Sequence, residues 1–251
     1  MVELRLAGLD CRLCGGTDGN GAGSGPLVVL LHGFGAPGTD LVDLAEVIRA
    51  PLGTRYLFPA GPIDLSVDGS YPGDARAWWP IDLVAVQVAN LMGTFETLGS
   101  SLAQGIDGAV ETLGQLISAV RQGLEPNPGN VILGGFSQGA ILCLEAVMNG
   151  RVACGALVLL SPTLLDGDTM RTRATRVAHV STVVSHGVED PILPFPLSEE
   201  LQRILVSAGW QVDWAPFNGG HGIGPEAIAS VERLLFNQVG AQASSDSPSG
   251  A

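Results

Sequence analysis

The sequence predicts an α/β fold in which a mostly parallel central sheet carries helices on both faces. Three observations lead there. Apolar runs at 27–31, 131–133, 156–160 and 182–185 have the length of strands buried on both sides. Longer stretches with apolar residues at one-face helical spacing lie between them, and such alternation of strand with helix makes neighbouring strands parallel. The third observation is Gly135-Phe136-Ser137-Gln138-Gly139, a G-x-S-x-G that leaves a strand and opens a helix. With no repeat or linker to divide the core, residues 1–239 are expected to form one domain. Residues 240–251, rich in Ser, Ala and Gly, are expected to be a disordered tail.

Each element has its own signal. Residues 2–14 have the character of an edge strand, and 15–25 form a Gly-rich connection. After the strand at 27–31, residues 32–38 turn the chain into a helix capped by Thr39, with Leu41, Leu44, Ala45 and Ile48 on one face and Pro51 beyond its end. A short strand at 54–58 leads into a Pro- and Gly-rich loop, 59–80, that ends in Ala77-Trp78-Trp79-Pro80. Residues 81–99 are apolar without a clean helical period and suit a lid or pocket wall. Over 100–122 the period is clean: Leu102, Ile106, Ala109, Val110, Leu113, Ile117 and Val120 share a face, and Gly123 with Pro126 ends the helix.

Next come the strand, turn and helix around Ser137, the helix ending at Asn149-Gly150. The strand at 156–160 is closed by Ser161-Pro162, and that at 182–185 runs into His186-Gly187-Val188-Glu189-Asp190-Pro191. A helical pattern at 198–207, a strand at 211–217 and the loop 218–222 follow. Pro225 opens the last helix, with Ile228, Val231, Leu234 and Leu235 inward.

Composition narrows the function classes. With 46% hydrophobic and 15% charged residues, the chain has the makings of a large core. No apolar run reaches the 18 or so residues of a membrane helix, and Met1-Val2-Glu3-Leu4-Arg5 is not a signal sequence, so a cytoplasmic protein is expected. The net charge of −13 argues against nucleic acid or an anionic membrane as partner, since both select clustered Lys and Arg. Cys143 and Cys154 lie in apolar runs. Cys11 and Cys14 form a lone C-x-x-C without a second pair or nearby histidines for zinc; they read as ordinary edge-strand cysteines, with a labile disulfide as the alternative.

The chemistry gathers at Ser137. A serine on a strained turn between strand and helix has an exposed hydroxyl, and the glycines two positions either side leave room for it. The hydroxyl becomes a nucleophile when a histidine takes its proton, and the histidine needs a carboxylate to orient it. The chain order expected after such a turn is serine, acid, histidine, which Asp190 and His221 satisfy; both follow strands whose carboxyl ends share one sheet edge with Ser137. His221 sits among Gly219, Gly220 and Gly222, a loop expensive to order unless the imidazole must be placed. His32, His179 and His186 read as structural or exposed. Glu189 and Asp213 compete for the acid, but Asp213 is inside a strand pattern, and only one of Glu189 and Asp190 can face the histidine.

Together Leu31-His32-Gly33-Phe34-Gly35, Gly135-Phe136-Ser137-Gln138-Gly139-Ala140, His186 through Pro194 and Gly220-His221 resemble the phospholipase/carboxylesterase family, the acyl-protein-thioesterase-like branch of the α/β-hydrolase fold. The resemblance covers about residues 27–237. It implies Ser137, Asp190 and His221 as a triad, the backbone N–H groups of Phe34 and Gln138 as an oxyanion hole, and Trp78 and Trp79 as a substrate-binding tryptophan loop. Ala36, where the family often has an acidic residue, and Pro80 depart from the pattern. The implied function is a serine carboxylic-ester hydrolase working through an acyl-enzyme on short- to medium-chain substrates. The carboxylesterase, thioesterase and lysophospholipase variants of it would act on small-molecule esters or thioesters, acylated protein or lysophospholipid. No metal or organic cofactor is implied. Residues 78–95, including Trp78, Trp79, Leu83, Val86, Leu91, Met92 and Phe95, are expected to wall the acyl site.

Two other readings compete. Gly33-Phe34-Gly35-Ala36-Pro37-Gly38 fits the G-x-G-x-x-G of a dinucleotide-binding oxidoreductase, but 55–62 offers no acid for a ribose. A non-catalytic binding module of the same fold would lack a triad member, and none is missing.

Overall fold

The computed structural model describes residues 1–67, 69, 71–125, 127–177 and 180–245, with the backbone alone at 96 and 240–245. The strands are β1 (Val2–Leu6), β2 (Leu9–Gly15), β3 (Leu27–Leu31), β4 (Arg55–Pro59), β5 (Ile63–Asp64), β6 (Arg76–Ala77), β7 (Val131–Phe136), β8 (Ala156–Leu160), β9 (Ser181–Gly187) and β10 (Val212–Phe217). The helices are α1 (Leu44–Val47), α2 (Leu83–Met92), α3 (Phe95–Ala103), α4 (Ile106–Gly123), α5 (Gln138–Met148), α6 (Gly167–Ala174), α7 (Phe195–Ser207) and α8 (Pro225–Ser245). Eight strands form one sheet in the order β1-β2-β4-β3-β7-β8-β9-β10, and β5 pairs with β6 separately. From β4 to β10 every pairing is parallel, and β2 alone runs against its neighbours.

The two-residue period of a strand builds the two layers. On β3, Leu27, Val29 and Leu31 enter one apolar cluster with residues of α2 to α7, while Val28 and Leu30 enter the other with Ala227, Val231, Leu234 and Leu235 of α8. All five β3 residues are buried, which is why the run has no polar alternation to read. Parallel pairing aligns strand ends. The residues that follow β3, β7, β8, β9 and β10 therefore emerge along one edge, where Phe34, Ser137, Ser161, Asp190 and His221 lie.

Several boundaries differ from the sequence reading for identifiable reasons. Residues 2–14 are a hairpin, not one edge strand: Ala7 and Gly8 take positive φ (48° and 82°), the geometry of a two-residue hairpin turn that matches strand twist. Of the two hairpin strands β1 is at the edge, since β2 is paired on both sides. Cys11 packs into one cluster and Cys14 against the other, because residues three apart on a strand face opposite ways; both thiols are free. The helix expected from Thr39 is reduced to turns and the four residues of α1. The stretch 81–99 is largely helical, in α2 and the start of α3: Asp82 caps α2, its carboxylate accepting from the N–H groups of Val84 and Ala85. Leu102 belongs to α3, because Gly105 at φ 91° separates α3 from α4. α6 carried no strong apolar period, and α8 continues through 240–245, where a disordered tail was expected. His179 and residues 246–251 lie outside the described residues.

Candidate active site

Ser137 is the single residue between β7 and α5, with φ 53° and ψ −116°. A non-glycine residue in that region is strained by about 1–3 kcal/mol and persists only when its surroundings fix it. Here the Ser137 N–H donates to Leu160 O at 2.8 Å and its carbonyl accepts from Ile141 N–H at 3.0 Å. The flanking glycines permit the crossing. A Cβ on Gly139 would lie 2.2 Å from Leu31 O, and one on Gly135 would lie 2.5 Å from the carbonyl carbon of Gly139. Any side chain at either position would push α5 off the sheet and move the serine.

The serine hydroxyl does not cap α5; it lies 2.9 Å from His221 Nε2. His221 Nδ1 lies 2.6 Å from Asp190 Oδ2, and Asp190 Oδ1 accepts from the N–H groups of Ile192 (2.8 Å) and Leu193 (2.9 Å). Burial would raise the Asp190 carboxyl, but hydrogen bonds from His186, His221 and Leu193 win and hold it well below the usual carboxylate range. An ionised Oδ2 fixes the proton of His221 on Nδ1, so Nε2 presents a lone pair to the serine. The histidine loop is anchored separately: Gly219 O accepts from Glu189 N–H (2.9 Å) and Gly222 O from Ser161 Oγ (2.9 Å), while the Phe136 ring packs 4.9 Å from the imidazole. The rival acids are elsewhere, Asp213 paired with Arg233 at 2.8 Å and Glu189 exposed.

Around the serine the backbone offers two donors. A Cβ on Gly33 would come within 3.4 Å of Ser137 Cβ, so the β3 turn lies against it. In that turn Gly35 N–H donates to Arg76 O and Ala36 N–H to Gly33 O, while Phe34 N–H has no hydrogen bond among the described residues. Gln138 N–H opens α5, where first-turn donors have no acceptor within the helix. Gln138 is also bound through its side chain, which sequence reasoning missed: Oε1 accepts from Trp78 N–H (2.9 Å) and Nε2 donates to Trp79 O (2.8 Å). Trp78 Nε1 in turn donates to His32 O, His32 Nδ1 donates to Gly33 O, and Gly61 N–H donates to His32 Nε2. His32 is thus a fully bonded neutral imidazole whose pKa burial lowers, and it ties the Phe34 turn to the Gln138 turn.

The tryptophan expectation is corrected by this packing. Trp78 and Trp79 are 2% and 1% exposed and present no free surface to a substrate. Trp79 Nε1 donates to Leu102 O, so the pair braces the site from below. Trp79→Ala is expected to cost about 3–5 kcal/mol of stability through the cavity it leaves. An unchanged thermal midpoint would contradict this. Of the other wall residues Val86 is also buried, whereas Leu83, Leu91, Met92 and Phe95 are exposed and, with Val84 and Val88, leave an apolar face of α2 and the start of α3 in solvent. α2 reaches the loop that follows Asp190 through Asn90, whose side chain donates to Ile192 O.

The dinucleotide reading fails on geometry as well. A phosphate cradle needs a helix beginning at the glycine turn; here the next helix is the four-residue α1, Gly35 N–H is taken by Arg76 O, and β4 closes in Pro59-Ala60.

Residues 21–236 match the phospholipase/carboxylesterase family. The chain belongs to that family. It is 28% identical over 226 residues to acyl-protein thioesterase 1 of Gibberella zeae, covering 84% of this chain and 90% of that one. A rice protein (Oryza sativa subsp. japonica) named a probable carboxylesterase is 25% identical over 84% of this chain and 77% of its own. The crystal structure of esterase PE8 superposes with a TM-score of 0.75 at 23% identity, over 91% of this chain and 98% of that one, a likeness of fold. The sheet order with a single antiparallel strand is thus that of an α/β-hydrolase, and the chain is a serine ester hydrolase.

Proposed function

We propose that Ser137, His221 and Asp190 are the nucleophile, base and orienting acid of this hydrolase. The supporting observation is the continuous hydrogen-bond chain from Ser137 Oγ through His221 to Asp190, with distances of 2.9 and 2.6 Å. His221 Nε2 takes the hydroxyl proton as Oγ attacks the acyl carbonyl, and the N–H groups of Phe34 and Gln138 receive the oxyanion. Collapse expels the alcohol or thiol, protonated by His221, and leaves an acyl-serine. Water attacks that ester with His221 again as base, releasing the acid. The cytoplasm is the proposed compartment, and the four cysteines, all present as free thiols, support it.

Short- to medium-chain esters and thioesters are the proposed substrates, with the acyl chain lying on the exposed face of α2. Support comes from the charge-free apolar run of α2 and from its tether to the Asp190 loop. Each buried methylene is worth about 0.8 kcal/mol, so kcat/KM should climb about three- to fourfold per added carbon until the face is covered. A panel of p-nitrophenyl esters and the matching thioesters measures this slope. Leu91→Ser and Val88→Ser should flatten it and leave acetyl ester turnover within about twofold. A slope unchanged in both variants would move the acyl chain to another surface.

A further inference from the structure

His186 lies at the end of β9 with its side chain fully buried. Its Nε2 sits 2.8 Å from Leu193 O and 3.1 Å from Asp190 Oδ2. A backbone carbonyl and an ionised carboxylate can only accept, so Nε2 carries the proton and shares it between them. Among the described residues its Nδ1 is buried without a hydrogen-bond partner, as suits a nitrogen that carries a lone pair and no proton. The ring is held in place by Phe195 at the start of α7, 6.1 Å away between centroids.

Asp190 is thereby the acceptor of four donors. Oδ1 takes two backbone N–H groups, and Oδ2 takes the His221 and His186 imidazoles. The backbone pair holds Oδ1, and the second imidazole holds Oδ2, the oxygen that accepts from His221 Nδ1–H. It also caps the remaining lone-pair direction of an oxygen sealed from water.

We infer that His186 is a positioning residue for the reaction: through Nε2–H it holds Asp190 Oδ2 in line with His221 Nδ1. This rests on the triad proposed above. Without that contact Oδ2 loses a partner that fixes its direction, and the carboxylate is freer to swing about its Cβ–Cγ bond. The His221 imidazole then loses its alignment, which weakens it as the base for Ser137.

The test compares His186→Gln with His186→Met, side chains of nearly one shape of which only Gln can present an N–H near the Nε2 position. In p-nitrophenyl ester hydrolysis, His186→Met should lose about 10- to 100-fold in kcat with KM within about twofold, the size seen when a partner of a functional side chain is removed. His186→Gln should recover to within about threefold of the unaltered protein. In proton spectra the His221 Nδ1–H resonance should move upfield in His186→Met, as the Asp190–His221 bond loosens, and hold its place in His186→Gln. Equal losses in the two variants would reduce His186 to filler, and wild-type kcat in His186→Met would remove the inference outright. Should neither variant fold, nitrogen-15 spectra of the unaltered protein decide: the Nε2–H tautomer at His186 is required, and the Nδ1–H tautomer overturns it. A Ser137→Ala control keeps the two levels apart. If that variant is inactive while His186→Met is normal, only the role of His186 falls; if Ser137→Ala remains active, the triad falls with it.

Discussion

Ser137→Ala should abolish covalent labelling by a serine-directed phosphonate and lower ester turnover by about five to six powers of ten, with His221→Ala nearly as severe. The size follows from the geometry. Ser137 Oγ and His221 Nε2 are joined at 2.9 Å, so removing either leaves the other without a role, and the two losses should not add. What survives is the pair of backbone donors at Phe34 and Gln138, worth a residual acceleration over water. Folding should be spared in Ser137→Ala. Alanine replaces a hydroxyl that takes no part in capping α5, and it occupies the same φ 53° backbone at similar cost. Burst kinetics with a p-nitrophenyl ester measure both effects at once. A labelled or normally active Ser137→Ala protein would place the nucleophile elsewhere.

The elements legible in the sequence were those whose residues obey one period. β3 and β8 keep the limits of their apolar runs because every residue in them is buried, and the turn at Ser137 was legible because Gly135 and Gly139 admit no substitute where α5 crosses β3. Asp190 and His221 followed from chain order and from the shared sheet edge. α2 was obscured by the opposite pattern: Val84, Val88, Leu91 and Met92 are apolar on the solvent side, so no polar face marked the helix. Two adjacent tryptophans beside a loop carry no sign of direction, so in sequence Trp78 and Trp79 read as pocket walls. Only the partners of their indoles, His32 O and Leu102 O, reveal that both point into the core. The place of His186 is illegible in the sequence for a related reason. Its residue type and its place before Asp190 were visible, but the distance that brings it to Oδ2 depends on how residues 187–193 fold back over β9, and no local spacing encodes that.

Asp190→Asn should retain the fold at neutral pH and lose about four powers of ten in turnover. An amide has one acceptor where the carboxylate has two. With its NH2 in place of Oδ2, it would face two donors, His221 Nδ1–H and His186 Nε2–H. Turned over, it would aim the NH2 at the N–H groups of Ile192 and Leu193. Either way one pair of contacts becomes donor against donor. The cheapest relief is for His221 to move its proton to Nε2, the nitrogen that must accept from Ser137. Turnover falls because the base is in the wrong tautomer, so an ester with a good leaving group should be rescued little. The same substitution alters acid stability with a definite sign. The Asp190 carboxyl titrates lower in the folded protein than its unfolded value of about 3.9, so its contribution is complete above that pH and is lost as pH falls further. The amide of the variant cannot titrate. Between about pH 4 and pH 2 the thermal midpoint of Asp190→Asn should therefore fall less steeply than that of the unaltered protein. Parallel midpoint curves over that range would show that the folded environment does not hold this carboxylate ionised.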